Sequence, residues 1–199
     1  MKTIKVAVTG GPSGGKTTLI DAIKKELGSQ VAVVPESASI LYRGGFPRFK
    51  SKHGLIHAQK AIYYTGRELE ALMQAEHNPA VLVCDRGSVD SLAYWPEGPE
   101  GFFQMLGTTQ MAEFDRYDWV VHLDTAGIEQ YDGTNPIRTE SYLEAQALNQ
   151  KILDAWSAHP KRIRINQRTD FLTKMATAYG VIQAIIEGQS LSEIRATFE

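Results

Sequence analysis

The sequence predicts a three-layer α/β fold, in which helices cover both faces of a parallel sheet of about five strands. Two observations predict it. Short apolar runs bounded by turn or charged residues alternate with stretches whose apolar residues fall at helical spacing. The chain, 199 residues with 43% hydrophobic, is also long enough to bury one core without disulfides or metal staples. Its single cysteine, Cys84, excludes an intramolecular disulfide and a cysteine-cluster zinc scaffold.

The strands are expected at Ile4–Thr9, Val31–Val34, Ala80–Cys84, Trp119–Leu123 and Arg162–Ile165. Such short apolar runs suit strands buried on both faces. Lys16–Leu27 follows the first strand as a helix. Leu55, Gln59, Ile62, Gly66, Leu69 and Met73 form a second helical stripe. Tyr142, Ala145, Leu148, Ile152 and Trp156 form a third, and Phe171, Met175, Ala178, Ile182 and Ile185 a fourth. This β-α-β-α order implies right-handed crossovers. No repeat, low-complexity tract or long linker interrupts it, so residues 1–199 read as one domain.

Lysine plus arginine number 21 against 23 aspartate plus glutamate, a net charge of −2. That balance argues against bulk binding of nucleic acid or anionic membrane. The N-terminus lacks the apolar core of a signal peptide, and no run approaches the roughly 18 residues of a membrane span. A cytoplasmic location is therefore expected; nothing in these patterns bears on the oligomeric state.

Gly10-Gly11-Pro12-Ser13-Gly14-Gly15-Lys16-Thr17 fits G-x-x-x-x-G-K-[ST] at every fixed position, between a strand and a helix. This is a P-loop. Glycines let the backbone turn and aim N–H groups at phosphate oxygens, and the helix N-terminus adds partial positive charge. Gly11 to Thr18 are the expected nucleotide-binding residues. Lys16 reaches the β- and γ-phosphates, and the Thr17 hydroxyl ligates Mg²⁺. A nucleoside triphosphate with Mg²⁺ follows; what receives the phosphate does not.

A magnesium-side carboxylate is expected where an apolar strand ends in an acid. Asp85 after Val81-Leu82-Val83-Cys84 has that form, and so does Asp124 after Val120-Val121-His122-Leu123. Asp85 is preferred because Arg86-Gly87 follows it; Asp124 reads as a helix N-cap or turn acid.

These elements together resemble the kinase-type P-loop NTPases. The resemblance is to nucleoside, nucleotide and nicotinamide riboside kinase-like proteins, and to small bacterial AAA-type ATP-binding proteins. It rests on Gly10–Thr17, Val34-Pro35-Glu36-Ser37-Ala38, Gly44-Gly45-Phe46-Pro47-Arg48, Asp85-Arg86-Gly87 and Arg138-Thr139-Glu140, and covers nearly the whole chain. It implies a kinase that moves the γ-phosphate of MgATP to a small molecule. Glu36 or Asp85 is then the base for the acceptor hydroxyl, although Glu36 could instead cap or salt-bridge. Residues 36–76 become the acceptor segment, and 125–141 a small lid whose Arg138 closes over the phosphates.

Within that segment, Arg43 to His53 carries four Lys/Arg, two glycines and a proline, and reads as a basic loop. Arg43 and Arg48 there suggest an anionic acceptor, against the alternative of a solvated surface loop. Gln59, Tyr63 and Arg67 form a polar stripe that faces either the acceptor or solvent, and Arg86 is the remaining candidate for acceptor binding. Asn166-Gln167-Arg168-Thr169-Asp170 departs from a guanine-reading Asn-Lys-x-Asp, which favours ATP over GTP; Thr169 or Asp170 could equally cap a helix. His53 and His57 have zinc-compatible spacing but no third ligand nearby. The competing function is a regulatory NTPase whose hydrolysis switches a partner-binding surface.

Overall fold

The computed structural model describes residues 2–28, 30–127, 141–166 and 170–198. Five strands, β1 (Ile4–Thr9), β2 (Val31–Val34), β3 (Val81–Asp85), β4 (Trp119–Leu123) and β5 (Arg162–Ile165), form one parallel sheet in the order β2-β3-β1-β4-β5. Val6 lies opposite Val83 on one side and Trp119 on the other, and Val8 pairs with Asp85. β3 is displaced one residue from the sequence expectation. Asp85 is its last residue, because the ladder to β1 continues through it.

The period-2 alternation of the strands divides the core into two layers. Val6, Val8, Val33, Val83, Val121 and Ile163 face α1 (Lys16–Leu27), α7 (Phe171–Ile186) and α8 (Leu191–Phe198), with Leu19, Ile23, Ile182 and Ile194 interleaved. Ala7, Val34, Leu82, Cys84 and Val120 face the other way. They meet a 3₁₀ helix (Ser88–Tyr94), α5 (Gln110–Phe114) and α6 (Tyr142–Ala155), centred on the fully buried Trp156. α3 (Lys52–His77) and α4 (Gly98–Leu106) enclose a smaller cluster of Ile56, Tyr63, Trp95, Phe102 and Leu106.

The basic stretch is only partly a loop. α2 (Ser37–Arg43) ends at Arg43, and the break follows at Gly44 and Gly45, the latter at φ 91°. Lys52 and His53 already belong to α3, because the Ser51 side chain accepts from the Gly54 N–H at 3.2 Å and starts the helix there. α2, the 3₁₀ helix, α4, α5 and α8 have no counterpart among the helices the sequence predicts. Of the expected lid, 128–140 lie outside the described residues. No helix among the described residues is long and apolar enough to cross a membrane.

Candidate active site

Parallel strands all end at one edge, and the connections leaving that edge build the site. Behind β1 the chain turns through the P-loop. Gly10 sits at φ 128° and Gly15 at φ 92°. A Cβ at Gly10 would lie 1.9 Å from the Leu123 carbonyl oxygen, and one at Gly15 would lie 2.6 Å from Met175 Cε. Glycine is therefore required at both positions by conformation and by space. Gly15 stands immediately before α1, so Lys16 and Thr17 open that helix.

Lys16 folds back over the loop and donates from Nζ to the carbonyl oxygens of Gly10 (3.0 Å) and Gly11 (2.7 Å). Burial, reinforced by Arg86, pulls its ammonium down to about 7 against the opposing pull of Asp85, Glu36 and Asp90. The Gly11 N–H is taken up within the fold. It donates to Asn149 Oδ1 on α6 at 3.0 Å, an oxygen that also accepts from the Thr125 N–H at 3.2 Å.

β2 delivers Glu36 and β3 delivers Asp85 and Arg86 to the same place. Arg86 donates from Nε to Glu36 Oε1 (2.6 Å), and from Nη1 to the Gly10 carbonyl and Asp90 Oδ2 (each 3.3 Å). Burial pushes the Glu36 carboxyl up, but Arg86, the Ser39 hydroxyl and Lys16 outweigh it and hold it at about 2. Asp85 moves the other way. Burial and the Glu36 charge push its carboxyl above the ordinary aspartate value, against Lys16 and Arg86.

A cleft of about 790 Å³ joins these groups to the second half of the site. Its lining includes Pro12 to Thr18, Glu36, Asp85 and Arg86, and also Arg43, Arg48, Lys50, Gln59, Tyr63 and Arg67. The Gln59-Tyr63-Arg67 stripe thus lines the cleft, with Gln59 and Tyr63 buried and Arg67 exposed at its solvent end. Arg43, Arg48 and Lys50 form an exposed cationic rim, where the Arg48 guanidinium lies 3.9 Å over the Tyr42 ring. Lys52 does not join that rim; it pairs with Glu97 at 2.5 Å.

Asp124 is neither a helix cap nor part of this cleft. Arg164 on β5 reaches its carboxylate from Nε at 3.0 and 3.1 Å, and Asn149 Nδ2 donates to it at 3.1 Å. Burial raises this carboxyl, yet His122, Arg164 and Asn149 hold it well below the aspartate range. Asp170 is the residue that caps α7, accepting from the Leu172 and Thr173 N–H groups. Arg138, Gln167, Arg168 and Thr169 lie outside the described residues.

The family described as AAA domain matches residues 5–174. The chain belongs to that AAA domain family. No curated protein matches it in sequence. Its fold is that of a kinase-type P-loop NTPase. Deoxyadenosine kinase from M. mycoides with bound dATP shares 13% identity over 90% of this chain and 99% of that chain, with a TM-score of 0.57. The NadR protein in complex with NR shares 18% identity over 93% of this chain, with a TM-score of 0.65. The NadR protein in complex with NAD and AMP-PNP shares 16% over 93%, with a TM-score of 0.60. This AAA domain spans about half of the NadR chains, 51% and 49% respectively.

Two polar residues that sequence reasoning missed hold this AAA domain's site together. Asp90, on the 3₁₀ helix, accepts from Thr9, Trp156 and Arg86. Asn149 ties the P-loop to β4 and α6. Neither lies in a motif, and apart from Arg86, four residues before Asp90, each finds its partners through the fold, far away in sequence.

Proposed function

We propose that this protein is a small-molecule kinase that transfers the γ-phosphoryl group of MgATP to a hydroxyl of an anionic acceptor. One observation carries the reading: a single cleft brings Lys16 of the P-loop together with Glu36, Asp85 and Arg86, and continues under a cationic rim. The P-loop and Lys16 bind the triphosphate. The Thr17 hydroxyl and the Asp85 carboxylate are a donor pair that suits Mg²⁺, a hard cation that takes oxygen ligands and keeps several waters. The ion would supply charge neutralisation at the phosphates.

The acceptor is held from the α2–α3 side, by the rim and Gln59. Its hydroxyl oxygen attacks the γ-phosphorus, the bond to the bridging oxygen of ADP breaks, and the hydroxyl proton passes to a carboxylate. Glu36 is our choice for that carboxylate, with Asp85 on the metal side. A base held at about 2 is weak. It suffices in a loose phosphoryl-transfer transition state, which leaves little covalent chemistry for the protein to do.

The test is ADP release from MgATP with pooled nucleosides, ribosides and phosphorylated metabolites, deconvoluted to one compound. One compound should accelerate the slow basal turnover at least about tenfold, a barrier change of about 1.4 kcal/mol. Lys16→Ala should abolish that gain while the protein stays folded. Basal hydrolysis that no compound accelerates, but that a protein partner does, would favour a regulatory NTPase instead.

A further inference from the structure

Arg86 is held by two acids of different kinds. Asp90 is 3% exposed, and its Oδ1 accepts from the Thr9 hydroxyl and the Trp156 indole N–H, each at 2.6 Å. Those donors come from the end of β1 and from the C-terminal end of α6, so the carboxylate is clamped from two layers of the fold. Its other oxygen faces Arg86 Nη1 at 3.3 Å. The Glu36 side chain is 26% exposed against 4% for Asp90, and its other oxygen accepts from Ser39 on the short helix α2.

The Arg86 backbone is equally constrained. It adopts φ 77° and donates its N–H to the Val8 carbonyl at 3.0 Å. The next residue, Gly87, is pressed so close to Trp156 that a Cβ there would lie 2.5 Å from the indole. The same indole thus packs under the Arg86 turn and donates to the acid that faces Arg86.

We propose that Asp90 is a positioning residue that fixes the Arg86 guanidinium independently of Glu36, so that the Glu36 carboxylate can turn to an acceptor hydroxyl while Arg86 stays in place. Asp90 is the standing counter-ion and Glu36 the exchangeable one. Without Asp90, departure of Glu36 would leave the partly buried guanidinium with no carboxylate in hydrogen-bond reach among the described residues, which is a costly state. With it, Arg86 keeps a carboxylate partner throughout. The titratable groups that bear on Arg86 and Glu36 include Tyr94 and Asp90 on the 3₁₀ helix, Lys16 on α1 and Asp85 on β3.

The role toward an acceptor rests on the kinase reading. The fixing of Arg86 does not, and it can be measured without any acceptor. Rotation about the Arg86 Nε–Cζ bond is read by NMR on arginine-labelled protein, with Arg86→Lys identifying the signal. Rotation should be slow in the wild type and remain slow in Glu36→Ala. In Asp90→Asn it should speed up at least about tenfold, equivalent to about 1.4 kcal/mol. Glu36 bonds Nε, which lies on the rotation axis, so the rate reports the Nη1 contacts to Asp90 and the Gly10 carbonyl; an Asp90 that serves only to link Thr9 and Trp156 would leave it unchanged. Fast rotation in Glu36→Ala, or unchanged slow rotation in folded Asp90→Asn, overturns the proposal. Should Asp90→Asn fail to fold, Glu36→Ala decides, since Glu36 lies at the cleft edge and not in the core.

Discussion

Lys16 carries a proton-linked signature of its own. Burial and Arg86 hold it at about 7, so at pH 8 most of it is neutral in the free protein. A triphosphate against the ammonium favours the charged form, so nucleotide binding at pH 8 should draw a proton from solution. Calorimetry of AMP-PNP binding in two buffers of different ionisation enthalpy should show uptake of roughly half to one proton, shrinking toward zero below pH 6. Affinity should weaken as pH rises through 7, and Lys16→Met should remove the uptake. Binding that releases protons, or takes up none, would mean that Lys16 does not meet the phosphates. Lys16, Thr17, Glu36 and Asp85 were all legible in the sequence because each lies where an apolar run or a glycine turn gives way to a polar group. Asp90 and Asn149 were not. Asp90 meets Thr9 and Trp156 across separations of 81 and 66 residues, and no local pattern encodes such a meeting. The pairing of Arg86 with Glu36 was not legible for the same reason: the two become neighbours only when β2 and β3 pair.

Among elements, the five strands and the four stripe-bearing helices were readable because burial on both faces makes strands continuous and burial on one face makes helices periodic. α2, α5 and the 3₁₀ helix run only 7, 5 and 7 residues, too short to repeat a helical stripe. Yet the 3₁₀ helix is the element that returns Asp90 toward Arg86, and its approach depends on the turn at Gly87. Gly87 sits at an ordinary φ of −101°, so alanine there carries no backbone strain. The added methyl instead meets Trp156 Cζ2 at 2.5 Å and Cη2 at 2.9 Å, in a layer where the indole is fully buried. Gly87→Ala should therefore cost about 1–3 kcal/mol, the usual penalty for overpacking a tight core. It should lower Tm by about 2–4 °C per kcal/mol, as expected for a domain of this size. Gly66→Ala is the control, because that position inside α3 has no positive φ and a Cβ there meets only the Ser37 side chain, no closer than an ordinary 3.4 Å. A Gly87→Ala protein as stable as the wild type would mean that the Arg86 turn is not wedged against Trp156.

The whole molecule divides its labour across the carboxyl edge of the sheet. The P-loop is locked to β4 and α6 through Asn149 and lies against α7 through Gly15 and Met175, so the phosphate side belongs to the rigid body of the fold. The cationic rim hangs on the α2–α3 side, on residues that are exposed. This separation explains how a chain with a net charge of −2 presents a basic cleft mouth, and why the acceptor was not legible. The cleft walls come from stretches that only the fold assembles. It also predicts that the two sides can be disabled separately. AMP-PNP with Mg²⁺ at 100 times its Kd should stabilise the protein by about 2.7 kcal/mol. For a chain of this length that raises Tm by about 5–11 °C. Lys16→Ala should erase the shift. A variant with Arg43, Arg48 and Lys50 all changed to alanine should keep it within a degree or two, because the rim stands on the end of α2 and the loop before α3, apart from the P-loop. Those exposed charges are also screened over about 8 Å at physiological salt, so they add little to binding of a phosphate chain seated in the loop. If the triple variant loses the shift along with Lys16→Ala, the rim holds the nucleotide, and the acceptor must enter from elsewhere.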